Sequence, residues 1–377
     1  GGEGRAAEDD RRVARRARSP YSSRWGSRSK TSPRRITSML VRAPSARESR
    51  SISEGVALRT IEAPTLDEIR SARGRIAGSA LRTPLVRLNV EDAPAEIWLK
   101  LENLQPIGSF KLRGAGNAMG LLPLSALARG VYTASAGNMA QGVAWNARRL
   151  GVPCTVVVPE HAPQTKLAAT ERLGATIVRI PFDAWWKVIV EHHHPGIDGM
   201  FIHPVSDPAV IAGNGTIGLE ILEDLPDVDT VLIPYGGGGL SCGIASAIRS
   251  LRPGVRILGC EVETATPLTV SLAAGGPRQV DYTPSFVDGI GAKGVLEEMW
   301  PLASRLLDGA CVVSLAQVAA AVKLLIERNR VVAEGAGAVP VAAALAGQGG
   351  AGKIVCVISG GNIDAKKLAA ILTGEVP

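Results

Sequence analysis

The sequence predicts an α/β protein whose sheets are parallel and covered by helices. Short apolar, β-branched runs alternate with helix-patterned segments along most of the chain. Three loops rich in glycine, serine and asparagine follow such runs directly: Ser135–Gly142, Pro234–Ser241 and Ser359–Asn362. In an open parallel sheet those junctions lie at the carboxyl ends of strands, where ligands bind.

The first 50 residues are rich in Arg, Ser, Ala and Gly and show no sustained apolar periodicity. They read as a disordered tail, taken to end near residue 60. Glu3, Glu8, Asp9 and Asp10 weaken an alternative targeting presequence, and no apolar core of a secretory signal is present. An over-extended start is a third reading, since Met39 lies inside the tail.

From Thr65 the pattern is globular. Thr65 reads as an N-cap, with Asp67 and Glu68 in the first helical turn. Thr83-Pro84-Leu85 breaks the chain ahead of the strand Ile97–Leu101, and a helix opens at Lys111. Strands are expected at Val131–Ala134, Thr155–Val158, Thr176–Ile180, Thr230–Ile233, Arg256–Cys260 and Ile354–Ile358. The intervening helices are Asn138–Leu150, Lys166–Leu173, Ile211–Leu222 and Leu240–Leu251, with Asp364–Leu372 closing the chain.

Composition excludes several functions. The chain of 377 residues is 46% apolar, enough for two modest domains or one large one. No apolar run approaches the roughly 18 residues of a membrane span, so a soluble protein is expected. The net charge of +7 resides in the tail: residues 1–50 hold 14 of the 42 Lys and Arg and 5 of the 35 Asp and Glu. The other 327 residues carry 28 bases and 30 acids, a net of −2, so no nucleic-acid face is expected. The five cysteines form no Cys-x-x-Cys pair and several lie in apolar runs, as reduced cytosolic thiols do.

Lys111, in Gly108-Ser109-Phe110-Lys111-Leu112-Arg113-Gly114-Ala115, reads in two ways. It is either a surface lysine over a helix start, or an amine desolvated in an apolar pocket and able to form a Schiff base with an aldehyde cofactor. The glycines Gly236–Gly239 let successive N–H groups turn toward an anion at the start of a helix; a flexible turn is the alternative. No Gly-x-Gly-x-x-Gly frame fits there, which excludes a dinucleotide fingerprint. The Walker-like Gly347–Lys353 ends in Ile354 and precedes a strand, so it is discarded. At Ser135-Ala136-Gly137-Asn138-Met139 the small residues of a helix start admit a carboxylate, and Asn138 offers both donor and acceptor. The single hydroxyl of Ser359 suits a ring nitrogen. His192-His193-His194 invites a metal, but with Pro195-Gly196 following it reads as a solvated loop. The Trp185-Trp186 pair is expected to pack in the core, with a pocket wall as the alternative.

Taken together, these motifs make residues 62 to 377 resemble the threonine/serine dehydratase branch, which includes serine racemases, of the fold type II pyridoxal-phosphate (tryptophan synthase β) family. The resemblance implies two open twisted sheets with helices on both faces and the cofactor between two domains. The large domain would comprise about 61–98 and 202–377 and the small one about 99–201. It implies that Lys111 carries pyridoxal 5'-phosphate as a Schiff base and acts as the catalytic base. Asn138 would bind the ring hydroxyl, Gly236, Gly237, Gly238, Gly239 and Leu240 the phosphate, Ser359 the pyridine nitrogen, and Phe110 the ring face. Ser135, Ala136, Gly137, Asn138 and Met139 would receive the substrate carboxylate.

The activity implied is elimination of water from threonine, serine or a bulkier 3-hydroxy amino acid, giving a 2-oxo acid and ammonia. Racemisation or β-replacement on the same scaffold is the nearer alternative, and a non-catalytic phosphate-ligand binder the one from another class. Met139 stands where the branch commonly has histidine. Ala136 stands where racemases carry a second serine, which favours elimination. Glu261 matches a metal-binding position of some members, but Pro267 replaces a later acidic ligand, so no metal is expected. A cytoplasmic homodimer is implied, and no regulatory domain after Pro377.

Overall fold

The computed structural model describes residues 61–377, so the tail predicted for 1–60 lies outside the described residues. The strands are β1 (Leu85–Arg87), β2 (Glu96–Lys100), β3 (Val131–Ala134), β4 (Cys154–Pro159) and β5 (Thr176–Ile180). They continue with β6 (Met200–Phe201), β7 (Thr230–Pro234), β8 (Arg256–Val262), β9 (Gly309–Val313) and β10 (Lys353–Val357). The helices before β6 are α1 (Leu66–Ile76), α2 (Lys111–Gly120), α3 (Leu124–Leu127), α4 (Asn138–Leu150), α5 (Gln164–Arg172) and α6 (Phe182–Glu191). After it come α7 (Pro208–Asp224), α8 (Gly239–Leu251), α9 (Pro267–Ala274) and α10 (Trp300–Leu306). The last three are α11 (Leu315–Leu324), α12 (Gly335–Leu345) and α13 (Ala365–Thr373). No described helix is long and apolar enough to cross a membrane.

Two sheets form, as expected. One has six strands in the order β1-β2-β10-β7-β8-β9 and the other four, β5-β4-β3-β6. All pairings are parallel except β1 with β2, an antiparallel edge that pairs Leu85 with Lys100. Strand β2 crosses the 98/99 boundary drawn from sequence and lies wholly in the six-stranded sheet. The period of two explains the unbroken apolar runs, because both sheet faces are buried. Leu232, Ile354 and Cys356 face α11 and α12, with Val318 and Val339 packed against them. Val231, Ile233, Val355 and Val357 face α7, α8 and α10 through Ile217, Ile244 and Leu302. In the smaller sheet, Val131, Val156 and Val158 pack on α2 and α4, and Tyr132 and Val157 on α6.

The helix ends follow local chemistry. Thr65 accepts from the Glu68 N–H while Glu68 reaches back to the Thr65 N–H, the reciprocal cap that starts α1. Asp207 and Asp364 cap α7 and α13 in the simpler one-way manner. Close glycine contacts then set the helix layer beneath the site. A Cβ on Gly213 of α7 would lie 2.5 Å from the Arg113 oxygen of α2, and one on Gly243 of α8 would collide with the Ile211 oxygen of α7. Thus α2 and α8 both pack at backbone distance on α7.

Beneath α2 lies a dry ionic network. Arg113 is 1% exposed and forks onto two carboxylates: Glu102 at 2.8 Å twice, and Glu220 at 2.7 and 2.9 Å. Lys100 completes it, donating to Glu220 and to the Thr83 oxygen, each at 2.6 Å. Burial alone would raise the Glu102 carboxyl, but Arg113 beside it holds it below the usual carboxylate range. Removing one member strands opposite charges without water. Arg113→Met should therefore cost about 3–5 kcal/mol of unfolding free energy, read from the urea midpoint; a loss below about 1 kcal/mol, the scale of an exposed pair, would refute the network's role.

Candidate active site

Lys111 is the first residue of α2, in a loop zipped to the one that follows β10. The Phe110 N–H donates to the Ser359 oxygen at 3.0 Å and the Gly361 N–H to the Gly108 oxygen at 2.9 Å, around a bridge between Ser109 and Gly360. Gly108 has φ +69, and a Cβ there would lie 2.7 Å from Asn362 Oδ1, so this position requires glycine. The Lys111 ammonium donates to the Pro204 oxygen at 2.9 Å and lies 5.2 Å from the Phe110 ring centroid. Burial lowers its pKa to about 8, partly opposed by the charge of Glu334. Lys111 is thus the desolvated amine of the second sequence reading.

Pro204 links the lysine to the glycine loop. Its neighbour Val205 packs so closely on that loop that a Cβ at Gly237 would lie 2.6 Å from a Val205 methyl, and one at Gly239 2.8 Å from the Val205 oxygen. Gly238 is left-handed at φ +92 and caps α8 with no side chain bonded to the first N–H groups. An anion fits there by chemistry as well as shape: free N–H donors meet the positive end of a 13-residue helix. Gly236 abuts Ile290 and Gly289, and Gly289 in turn abuts Glu334. The Leu240 side chain is buried in the core, leaving its backbone to the loop.

On the opposite side Asn138 begins α4, and its Nδ2 donates to both carboxylate oxygens of Glu334 at 3.0 and 3.2 Å. Its Oδ1 accepts from Asn362 Nδ2 at 2.8 Å. Ser135 accepts from the Gly137 N–H at 3.2 Å, and Ala136 and Gly137 are half-buried beside it. Met139 is different: its side chain is 1% exposed and packs inside the core of the smaller sheet, against which Ala136 rests only in part. Ser359 is buried at the end of β10.

Sequence reasoning missed Glu334, which joins this group from the start of α12. The run Glu334-Gly335-Ala336-Gly337, an acid before small residues at a helix start, resembles the other loops and was the available signal. Elsewhere the structure assigns local duties. His192 is no solvated loop residue: it ends α6 at φ +57 and stacks on buried His203 with centroids 4.2 Å apart. Its neighbour Glu298 completes a His192–His203–Glu298 cluster. His203 Nδ1 accepts from the Val205 and Ser206 N–H groups and Nε2 faces the Ile189 oxygen at 3.2 Å, so neither nitrogen has a lone pair for a cation. Glu261 accepts three hydrogen bonds, from Leu268 N, Thr269 N and Thr269 Oγ1, and so caps α9. Trp185 is half-buried and donates to the Val157 oxygen, whereas Trp186 is 46% exposed and lies outside the core expected for it.

An amine with this pKa should combine with an added aldehyde at a rate that rises with pH, with its midpoint near pH 8 and a plateau above it, followed by Schiff-base absorbance. A midpoint near the roughly 10.4 of a free lysine would contradict its burial.

Comparison with known proteins identifies the family. The family model described as pyridoxal-phosphate dependent enzyme matches residues 76–360. The chain is 44% identical over 310 residues to an L-threonine ammonia-lyase of Geobacter sulfurreducens, covering 81% of this chain and 77% of that one. It is 40% identical to the catabolic L-threonine dehydratase TdcB of Escherichia coli K12, covering 82% and 96%. Among solved structures, maize serine racemase superposes with a TM-score of 0.77 at 32% identity, covering 83% and 98%. The processed form of threonine deaminase isoform 2 from Solanum lycopersicum gives 0.71 at 33%, covering 86% and 99%. The chain therefore belongs to the pyridoxal-phosphate-dependent enzymes of fold type II, and pyridoxal 5'-phosphate is its cofactor.

Proposed function

We propose that this enzyme is an ammonia-lyase that converts a β-hydroxy amino acid, L-threonine foremost, into a 2-oxo acid and ammonia. The observation that carries the proposal is the Lys111 amine, desolvated at the meeting point of four loops. Threonine is favoured because the relatives at 44% and 40% identity are named for it.

The roles of the residues are part of the proposal. Lys111 holds the cofactor covalently and, once substrate has replaced it, stands as a free amine that takes the proton from Cα. With a pKa of about 8 a useful fraction is unprotonated near neutral pH, whereas an ordinary lysine would be almost wholly charged. When bound, pyridoxal phosphate withdraws electron density from Cα and so makes that proton removable. The N–H groups of Gly236–Leu240 hold the phosphate at the start of α8, Ser359 meets the pyridine nitrogen, and Phe110 lies against the ring. Asn138 meets the ring hydroxyl. The loop Ser135–Met139 receives the substrate carboxylate, with Met139 contributing backbone alone.

Loss of the Cα proton and the Cβ hydroxyl releases water. Hydrolysis of the resulting enamine takes up one water and yields the 2-oxo acid and ammonia. Ala136 supplies no hydroxyl to return a proton from the second face, which supports elimination over racemisation. We also propose a division into a large domain (about 61–100 and 202–377, the sequence boundary being moved to keep β2 whole) and a small one (about 101–201), a homodimer, and a cytoplasmic setting. All five cysteines are free and buried, which suits that setting.

The test is 2-oxo acid formation from L-threonine, L-serine and a 3-aryl serine. Threonine should be turned over fastest, and Lys111→Ala should lower the rate about a thousandfold. Formation of D-amino acid without 2-oxo acid would move the enzyme to racemase chemistry.

A further inference from the structure

Glu334 occupies the N-cap position of α12, yet its side chain makes no capping bond to that helix. It turns instead toward the site, where both oxygens accept from Asn138 Nδ2. On the far side of the same carboxamide, Asn362 Nδ2 donates to Asn138 Oδ1, and that nitrogen also reaches the Ile107 oxygen at 2.9 Å. Asn138 is therefore held from both ends, its nitrogen toward a carboxylate and its oxygen toward an amide donor. A rotation of the carboxamide by half a turn would set oxygen against carboxylate and nitrogen against nitrogen, two repulsive contacts in place of two hydrogen bonds.

The backbone keeps Glu334 there. Its N–H donates to the Gly360 oxygen at 2.9 Å, which ties it to the loop carrying Ser359. Its carboxylate passes so close to Gly360 that a Cβ there would lie 2.7 Å from Oε1, and a Cβ on Gly289 would lie 3.5 Å from the same oxygen. Gly360 thus makes room for this carboxylate, and Gly289 lies in ordinary contact with it. The geometry also sets its charge among Asn138, the Ser359 loop and Lys111, on which it acts electrostatically against desolvation. A neutral glutamine could accept from Asn138 equally well; what it could not supply is the charge.

We propose that Glu334 is a positioning residue of the active site: it fixes the orientation of Asn138 and, by its charge, keeps the proton on the Lys111 nitrogen when the cofactor is attached. The inference rests on the assignment of Lys111 and Asn138 to the cofactor. It concerns a residue that the sequence motifs did not point to, and a duty distinct from theirs. Glu334 acts on the cofactor-bearing nitrogen without needing to touch the substrate, so its effect is visible before any substrate is added.

The experiment is a pH titration of the long-wavelength absorbance of the holoenzyme without substrate, for the parent, Glu334→Gln and Lys111→Ala, with thermal unfolding followed in parallel. Glu334→Gln keeps the size and the accepting oxygen and removes only the charge. It should lower the titration midpoint by about one pH unit, as loss of an opposite charge acting on the nitrogen does. The direction follows from the sign: the anion favours the protonated nitrogen, so its loss lets the proton leave at lower pH. A merely structural role would change the melting temperature and leave the midpoint in place. Should Glu334→Gln fail to fold, Glu334→Asp carries the test, since it keeps the charge but withdraws it by one methylene; a smaller downward shift is expected. A midpoint equal to the parent's in the folded variant overturns the role of Glu334. If Lys111→Ala keeps both the absorbance band and 2-oxo acid formation, the site assignment itself is wrong, whatever Glu334 does.

Discussion

The position of Lys111 depends on a charge network buried two residues further along the same helix. Successive residues of an α-helix point about 100° apart, so residues 111 and 113 project to nearly opposite sides of α2. Arg113 is bound by Glu102 from the end of β2 and by Glu220 from α7, and this sets the rotation of α2 about its axis. With Arg113 turned into the core, Lys111 can only turn toward the site. Lys100 makes the group two bases and two acids, so the network is balanced in charge. Such a cluster gives up much of its attraction to desolvation. Its physical value here is directional: a guanidinium held by two carboxylates has one way to sit, whereas an apolar contact of the same size has several.

Glycines then convert that orientation into a site. Where α2 and α8 cross α7, residues 213 and 243 bring backbones to a separation that no side chain permits. Both helices begin on the same side of the layer, α2 with Lys111 and α8 with the uncapped N–H groups after Gly238. The amine and the anion-binding helix end are therefore fixed relative to one another through α7, which touches neither ligand group itself. Asn214 of α7 adds a polar tie, donating to the Gly239 oxygen at 3.1 Å.

How much of this was legible follows from where the physics is local. The strands and loops that could be read are those in which an apolar run meets small residues at once, as at Ala134 to Gly137 and Pro234 to Gly239. Their signal is complete within a dozen residues. Between Glu261 and Lys353 it failed, and α9 to α12 and β9 went unassigned. Helix α12 shows why: Gly335-Ala336-Gly337-Ala338-Val339-Pro340 is buried all round, so no apolar stripe of period 3.6 exists to be seen, and Pro340 argues against a helix. Glu334 was hidden for another reason. Its meaning comes from Asn138, 196 positions earlier, and such a pairing exists only in the folded chain. Helix α6 (Phe182–Glu191) likewise went unassigned, and its Phe182, Trp186 and Val190 are exposed.

The two sheets contribute to the site unequally. The Lys111 loop and the Ser359 loop are joined by backbone bonds in both directions and stay together with the six-stranded sheet. Asn138 and Ala136 come from the end of β3, in the four-stranded sheet, and meet that pair through the side chains of Asn362 and Glu334. A side-chain hydrogen bond contributes about 1 kcal/mol, too little to hold two sheets at a fixed angle. What holds them is α2, whose Ala115 and Met119 pack into the core of the smaller sheet while Arg113 is anchored beneath the larger. Lys111 stands at the start of that joint. Helix α4, which begins at Asn138, packs on the same joint: a Cβ at Gly142 would lie 3.0 Å from the Lys111 carbonyl carbon, and Asn146 Nδ2 donates to the Leu112 oxygen at 3.1 Å. Asn138 is thus set against Lys111 by helix packing as well as by its bonds to Glu334 and Asn362.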